Sequence, residues 1–250
     1  MDPLTTAAAA GMRARLEALD LLANNLANSS TPGFKADREA YSIYLGAESQ
    51  EAAASGLGLA TGAVPEIDSH RTDFRPGVLT STGSAQDLAL SGEGFFLVDG
   101  PNGPLLTRGG TFRVSADGRV TTSEGYEFAT VEPRRIRADS TKAVEVDLDG
   151  TVRQEGVALG RFKLVRPDLK NQPAKREGVY FSIDNSQVAG MPESQAEVRQ
   201  GMSEASNYSA PEAAVRLVSV LRQFESLQRA MQMSSEMGRK AVEEVARVNG

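Results

Sequence analysis

Asp87-Leu88-Ala89-Leu90-Ser91-Gly92-Glu93-Gly94-Phe95-Phe96-Leu97-Val98-Asp99-Gly100 decides the fold class. A short apolar run, glycine punctuation and a second apolar run ending in Asp-Gly read as two strands bounded by turns. The same rhythm continues through Leu105-Leu106-Thr107-Arg108, Thr111-Phe112-Arg113-Val114 and Asp117-Gly118 into Arg119-Val120-Thr121-Thr122. Lys142 to Asp147, Asp149-Gly150-Thr151-Val152, Gly160 to Val165 and Val179 to Ile183 extend it. Three Asp-Gly turns between alternating segments predict an antiparallel meander or small barrel.

Outward from this core the glycines thin out. Of 24, one lies in residues 1–30, 21 in 31–205 and two in 206–250, and nine of 11 prolines fall between Pro32 and Pro192. Glycine and proline are expelled from helix interiors, so the chain reads as helix, turn-rich middle, helix. The first helix starts at Asp2-Pro3, where an N-cap and a proline at the first helical position are both favourable. Leu4, Ala8, Met12, Leu16, Leu19, Leu22 and Leu26 then form one apolar stripe. The last helix opens with a capping box, Ser209 and Glu212. Its heptad seams are Leu217, Phe224, Met231, Gly238, Val245 and Val220, Leu227, Ser234, Ala241, Val248, widened by Leu221 and Val242. Ser234, Ser235 and Gly238 predict a bend or fray after Met237.

The expected fold class is therefore α+β: long N- and C-terminal helices packed as a coiled-coil-like pair, with a central, mainly antiparallel β domain. The domain reading is helix over 1–30, extended connector over 31–80, β domain over 81–190, return segment over 191–205 and helix over 206–250. Residues 46–63 read as a flexible linker.

Composition excludes much chemistry. The 250 residues contain no cysteine, no tryptophan and one histidine, His70, so thiolate nucleophiles, Cys-ligated metals and multi-His sites are out. The balance of 27 basic to 33 acidic residues argues against a nucleic-acid footprint. No apolar run approaches the roughly 18 residues of a spanning helix, so direct membrane insertion is not expected. The N-terminus lacks the basic n-region of a cleavable signal.

Gly56, Gly58 and Gly62 miss the dinucleotide spacing. Asp68, His70 and Asp73 cluster with Arg71 and Arg75, but no G-x-S-x-G elbow accompanies them, and a solvated connector is the stronger reading. Glu93, Asp99, Asp117, Asp147 and Asp149 mostly flank turns. A carboxylate-based hydrolase and a closed coiled-coil interaction module remain open alternatives. No catalytic residue, cofactor or metal is expected.

Four segments carry a resemblance. Asn24-Asn25-Leu26-Ala27-Asn28-Ser29-Ser30-Thr31-Pro32-Gly33-Phe34-Lys35 resembles the N-N-L-A-N-x-x-T-x-G-F-K signature of flagellar rod and hook proteins. Thr72 to Gly77 through Asp87 to Phe96 resembles that family's central stretch, and Thr107-Arg108-Gly109-Gly110-Thr111-Phe112 its T-R-x-G-x-F. Ser206-Asn207, ahead of Glu212 and Val215-Arg216-Leu217, resembles its C-terminal block, although Tyr208-Ser209-Ala210-Pro211 shifts the proline by one place. The short insertion disfavours the hook members. Gly160-Arg161-Phe162-Lys163-Leu164-Val165 is similar to a strand of the proximal-rod members, with distal-rod members second.

The resemblance implies a non-enzymatic axial subunit of the bacterial basal body. Such a subunit leaves the cytoplasm unfolded through the flagellar export apparatus, without a cleaved signal. It then stacks helically with copies of itself and with other rod proteins, transmitting motor torque. Subunit packing would use Met12, Leu16, Leu19, Leu22, Leu26, Leu217, Val220, Leu221, Phe224, Leu227 and Met231. Asn24, Asn25, Asn28, Thr31 and Gly33 would set the exit of the chain from the first helix, and Phe34 would anchor it.

Overall fold

A computed structural model of the chain describes residues 3–45, 63–168, 173–176 and 178–248. Two compact units emerge: residues 1–27, 37–71 and 209–250 form unit 1, and residues 28–36 and 72–208 form unit 2. Each unit is therefore assembled from segments far apart in sequence.

Unit 1 holds α1 (Pro3–Ala27), a two-stranded sheet of β1 (Asp37–Leu45) and β2 (Ala63–Thr72), and the C-terminal helix Ala210–Val248. That last helix, α3, follows a one-turn α2 (Asn185–Val188) in unit 2, making three helices among the described residues. The N-terminal helix and the entrance of the last fall where the sequence placed them. Ala213 N donates to Ser209 O at 2.9 Å, closing the first turn of α3. The helix does not fray after Met237: it runs through Ser234, Ser235 and Gly238 to Val248.

The expected pair of long coiled-coil-like helices around one β domain is not what forms. The helices are unequal, 25 residues against 39. A coiled coil needs a 3.5-residue apolar repeat on both partners. On α1 the buried positions among the described side chains are instead Ala14, Ala18, Leu22 and Asn25, stepping by four, four and three, while Leu16 is 50% exposed. Small side chains on that face admit a close approach: a Cβ on Gly11 would stand 3.5 Å from Leu227 Cδ1. On α3 only Ala213 and Val220 are buried among the described side chains. Leu217, Phe224, Leu227 and Met231 are half-buried.

The middle of the chain is likewise several sheets, not one meander or barrel. In unit 2 the strands are β3 (Leu79–Ser81), β4 (Leu88–Ser91), β5 (Phe95–Gly100), β6 (Gly103–Thr107), β7 (Phe112–Val114), β8 (Val120–Thr122) and β9 (Glu127–Phe128). They are followed by β10 (Glu145–Val146), β11 (Thr151–Gln154), β12 (Val157–Arg161), β13 (Leu164–Val165), β14 (Ala174–Lys175) and β15 (Tyr180–Ser182), then β16 (Glu197–Gln200) and β17 (Met202–Glu204). The largest sheet runs β14-β15-β6-β5-β9-β8-β7, with β13 also on β5; β10-β11-β12, β16-β4 and β17-β3 are separate. The reason is pairing over distance: Val198 sits opposite Leu90, and Ser203 opposite Thr80, across more than a hundred residues.

The Asp99-Gly100 dipeptide is not the turn. Both residues remain in β5, opposite Pro104 and Gly103, and the loop is Pro101-Asn102. Apolar residues on both faces of β5 explain its weight in the fold. Phe96 and Val98 enter a large core with Leu88, Leu105, Phe128, Val152 and Phe162. Phe95 and Leu97 enter a second core with Leu106, Val165, Phe181 and Ile183. Alternate residues of a strand point to opposite faces, so Phe95-Phe96-Leu97-Val98 is buried throughout. Edge-on ring contacts hold each side: Phe96 to Phe128 at 5.6 Å, and Phe95 to Phe181 at 6.0 Å.

Candidate functional site: where the sequence blocks meet

Within unit 2, parts of all four resembling segments converge. The Thr-Pro-Gly-Phe-Lys segment turns at Gly33, whose φ of +73° suits glycine. Its position against Arg108-Gly109 is so close that a Cβ would fall 2.5 Å from Gly109 N. Gly33 N donates to Glu204 O at 2.7 Å, and Ala36 N donates to Asn207 Oδ1 at 2.8 Å. Asn207 Nδ2 in turn donates to the Asp73 and Arg75 carbonyls at 2.6 and 3.2 Å. One asparagine thus pins two separate stretches of chain.

Beneath this backbone lies a fully buried ion cluster. Lys35 Nζ donates to Glu204 Oε1 at 2.5 Å and to Arg75 O at 2.8 Å. Arg108 Nε lies 3.1 Å from Glu204 Oε2, a charge contact whose geometry does not make a hydrogen bond. Arg108 Nη2 donates to Gly92 O at 2.9 Å, and Gly77 N donates to Glu204 Oε1 at 2.8 Å. Side-chain exposures are 0% for Lys35 and Glu204 and 1% for Arg108. Burial pushes both cations below their ordinary pKa ranges, against the pull of Glu204. Breaking a buried pair by removing one partner costs roughly 3–5 kcal/mol, because it leaves an uncompensated charge.

Phe34 is 1% exposed, with Lys175 Nζ 4.1 Å from its ring centroid, and Lys175 Nζ also donates to Lys35 O at 2.7 Å. In unit 1, Asn25 is 1% exposed; its side chain donates to Asp37 O at 2.8 Å and accepts from Asp37 N at 3.0 Å. Thr31 Oγ1 donates to Asn28 Oδ1 at 3.3 Å. Asn24 faces outward on α1, and Met12, Leu19 and Leu26 are half-buried. Leu22 is buried, whereas Leu221 is 42% exposed.

Lys35, Arg108 and Asn207 lie inside the resembling segments without a role evident from the sequence, and Glu204 and Lys175 lie outside them. Their signal was weak. Lysine, arginine and glutamate are almost never fully buried unless paired, and the pairing spans 169 positions.

Among the described residues, candidate carboxylates make local contacts. Asp73 is held by Arg75 through contacts of 2.6 to 3.1 Å. The Asp68 and His70 side chains, and Gly56, Gly58 and Gly62, lie outside the described residues. Asp149 and Thr151 form a local turn, as do Asp117 and Ser115. Among the described residues no group of three His, Asp or Glu side chains could hold a metal ion, and no helix is long and apolar enough to cross a membrane.

Comparison with known proteins follows the same blocks. Residues 6–35 match the family model of flagella basal body rod proteins. Residues 89–154 match that of the flagellar hook protein FlgE/F/G D1 domain, and residues 199–244 that of the flagellar basal body rod FlgEFG protein C-terminal region. The class is thus the flagellar rod and hook proteins. The chain is 32% identical over 232 residues to the flagellar basal-body rod protein FlgF of Caulobacter vibrioides, covering 92% of this chain and 93% of that one. It is 31% identical to FlgF of Rhizobium meliloti over 90% of each chain. To the rod protein FlgG of Borreliella burgdorferi it is 29% identical over 92% of this chain and 94% of the relative. The chain belongs to the flagellar basal-body rod protein family and is a structural subunit of that rod.

Proposed function

We propose that the chain is a proximal-rod subunit that stacks helically with copies of itself and with other rod proteins, passing motor torque along the rod without catalysing a reaction. The observation that carries the assembly reading is the outer surface of α3. Val215, Val218 and Leu221 are 73%, 49% and 42% exposed, a second apolar stripe beside the seam that faces α1. Single exposed apolar residues are ordinary, but a stripe on a long helix marks an interaction surface. Identities of 32% and 31% to the FlgF relatives of Caulobacter vibrioides and Rhizobium meliloti, against 29% to the Borreliella burgdorferi FlgG over a similar length, support the proximal position.

In this reading residues 1–30 and 206–250 are the rod-forming segments, and residues 81–190 face outward. Residues 31–80 and 191–205 connect them. Leu16 and Leu221 become contacts to neighbouring subunits, while Leu22 and Val220 serve the subunit itself. The flagellar export apparatus would deliver the chain to the basal body.

A V215E/V218E variant tests the proposal in a strain lacking the wild-type gene. Purified, it should keep wild-type helicity and unfold at the same temperature, since both side chains are exposed. In cells it should fail to enter basal bodies and abolish swimming. Normal motility would sink the reading.

A further inference from the structure

The ties that fix residues 33–36 in unit 2 come from far down the chain. Gly33 N bonds Glu204 O, and Asn207 N bonds Phe34 O. Lys175 Nζ bonds Lys35 O, and Ala36 N bonds Asn207 Oδ1. Lys35 itself is buried against Glu204. The nearer ties, Asp73 N to Ala36 O and Lys35 Nζ to Arg75 O, involve a stretch that Asn207 also holds.

Charge makes the dependence strict. Lys35 and Arg108 are two buried cations, and Glu204 is the carboxylate that both touch. Asp73 and Glu93 act on Lys35 and Arg108 more weakly than Glu204 does and make their own ion pairs, Asp73 with Arg75 and Glu93 with Arg166 at the surface. Carrying an unpaired cation out of water is strongly unfavourable. A molecule whose largest sheet is built but whose β17 and residues 205–207 are not in place must therefore leave Lys35 in water. Closing so long a loop adds a further entropic delay.

We infer that residues 33–36, the connector leaving α1, are admitted into unit 2 last, and that the arrival of Glu204 is the condition for admission. The cluster is a completion check: the connector of the first helix becomes fixed only in a chain that has folded through residue 207. This inference does not rest on the rod reading.

Pulse-labelled hydrogen exchange during refolding of the full wild-type chain tests it. The Gly33 and Ala36 amides should gain protection in a slower phase than the Leu97 and Ala129 amides, which bond Lys163 O and Leu97 O. Protection of Gly33 and Ala36 together with, or ahead of, those core amides overturns the inference. At equilibrium, the full-length E204Q variant should exchange at Gly33 and Ala36 at least about 100-fold faster than wild type, with Leu97 and Ala129 unchanged. Wild-type exchange at Gly33 and Ala36 in E204Q would likewise overturn it. The refolding measurement carries no substitution, so it decides the question even where the variant fails to fold.

Discussion

At Gly33 the backbone adopts a left-handed conformation hard against Arg108-Gly109. A methyl group there meets both strain and a collision. Gly33→Ala is expected to lose roughly 1–3 kcal/mol from strain alone, read as a lower denaturant midpoint with an unchanged slope. Tyr180 is a second residue whose setting has a measurable consequence. Its hydroxyl donates to Glu124, and burial together with that bond pushes its pKa well above the tyrosine range. A raised folded-state pKa contributes stability that is complete below the unfolded value of about 10 and is lost as pH climbs past it. The stability advantage of wild type over Tyr180→Phe should thus be flat from neutrality to about pH 10 and shrink above it. Urea unfolding of both proteins across that range checks the sign; an advantage that widens above pH 10 would contradict it.

Among the elements, α1 shows what a sequence stripe conceals. Its sequence stripe runs through Leu16, Leu19, Leu22 and Leu26, yet among the described side chains the covered ones are Ala14, Ala18, Leu22 and Asn25. Reading by hydrophobicity favours leucine, whereas close helix contact selects small residues, and only Leu22 satisfies both. Ala18 is 0% exposed, so Ala18→Leu should overpack the face and cost about 1–3 kcal/mol, seen as a drop in the temperature at which helical circular dichroism is lost. Strands divide in the same manner. β5, β6 and β8 were legible because apolar residues and turns lie together in sequence. β16 and β17 were not, because Glu197-Val198-Arg199-Gln200 buries little beyond Val198 and acquires its partner more than a hundred residues away. The ion cluster escaped for the related reason that nothing local distinguishes Lys35 or Glu204 from surface charges.

For the molecule as a whole, both units are discontinuous, and the polypeptide crosses between them at residues 27–28, 36–37, 71–72 and 208–209. Two of those crossings flank the Gly33–Ala36 segment, and a third follows Asn207. Of the segments that resemble the family, residues 24–35, residues 72–77 and the stretch from Ser206 lie where the chain changes unit, whereas residues 87–96 and 107–112 lie wholly inside unit 2. The strand β5 has the opposite character, since it belongs wholly to unit 2 and lines both of its cores. It works as a party wall: neither room can be emptied while the other stands. Calorimetry should accordingly give unit 2 one cooperative heat-absorption peak. Phe96→Ala, at a cost of about 3–5 kcal/mol, should move that peak bodily to lower temperature, and a shoulder splitting away from it would show that the two cores melt independently.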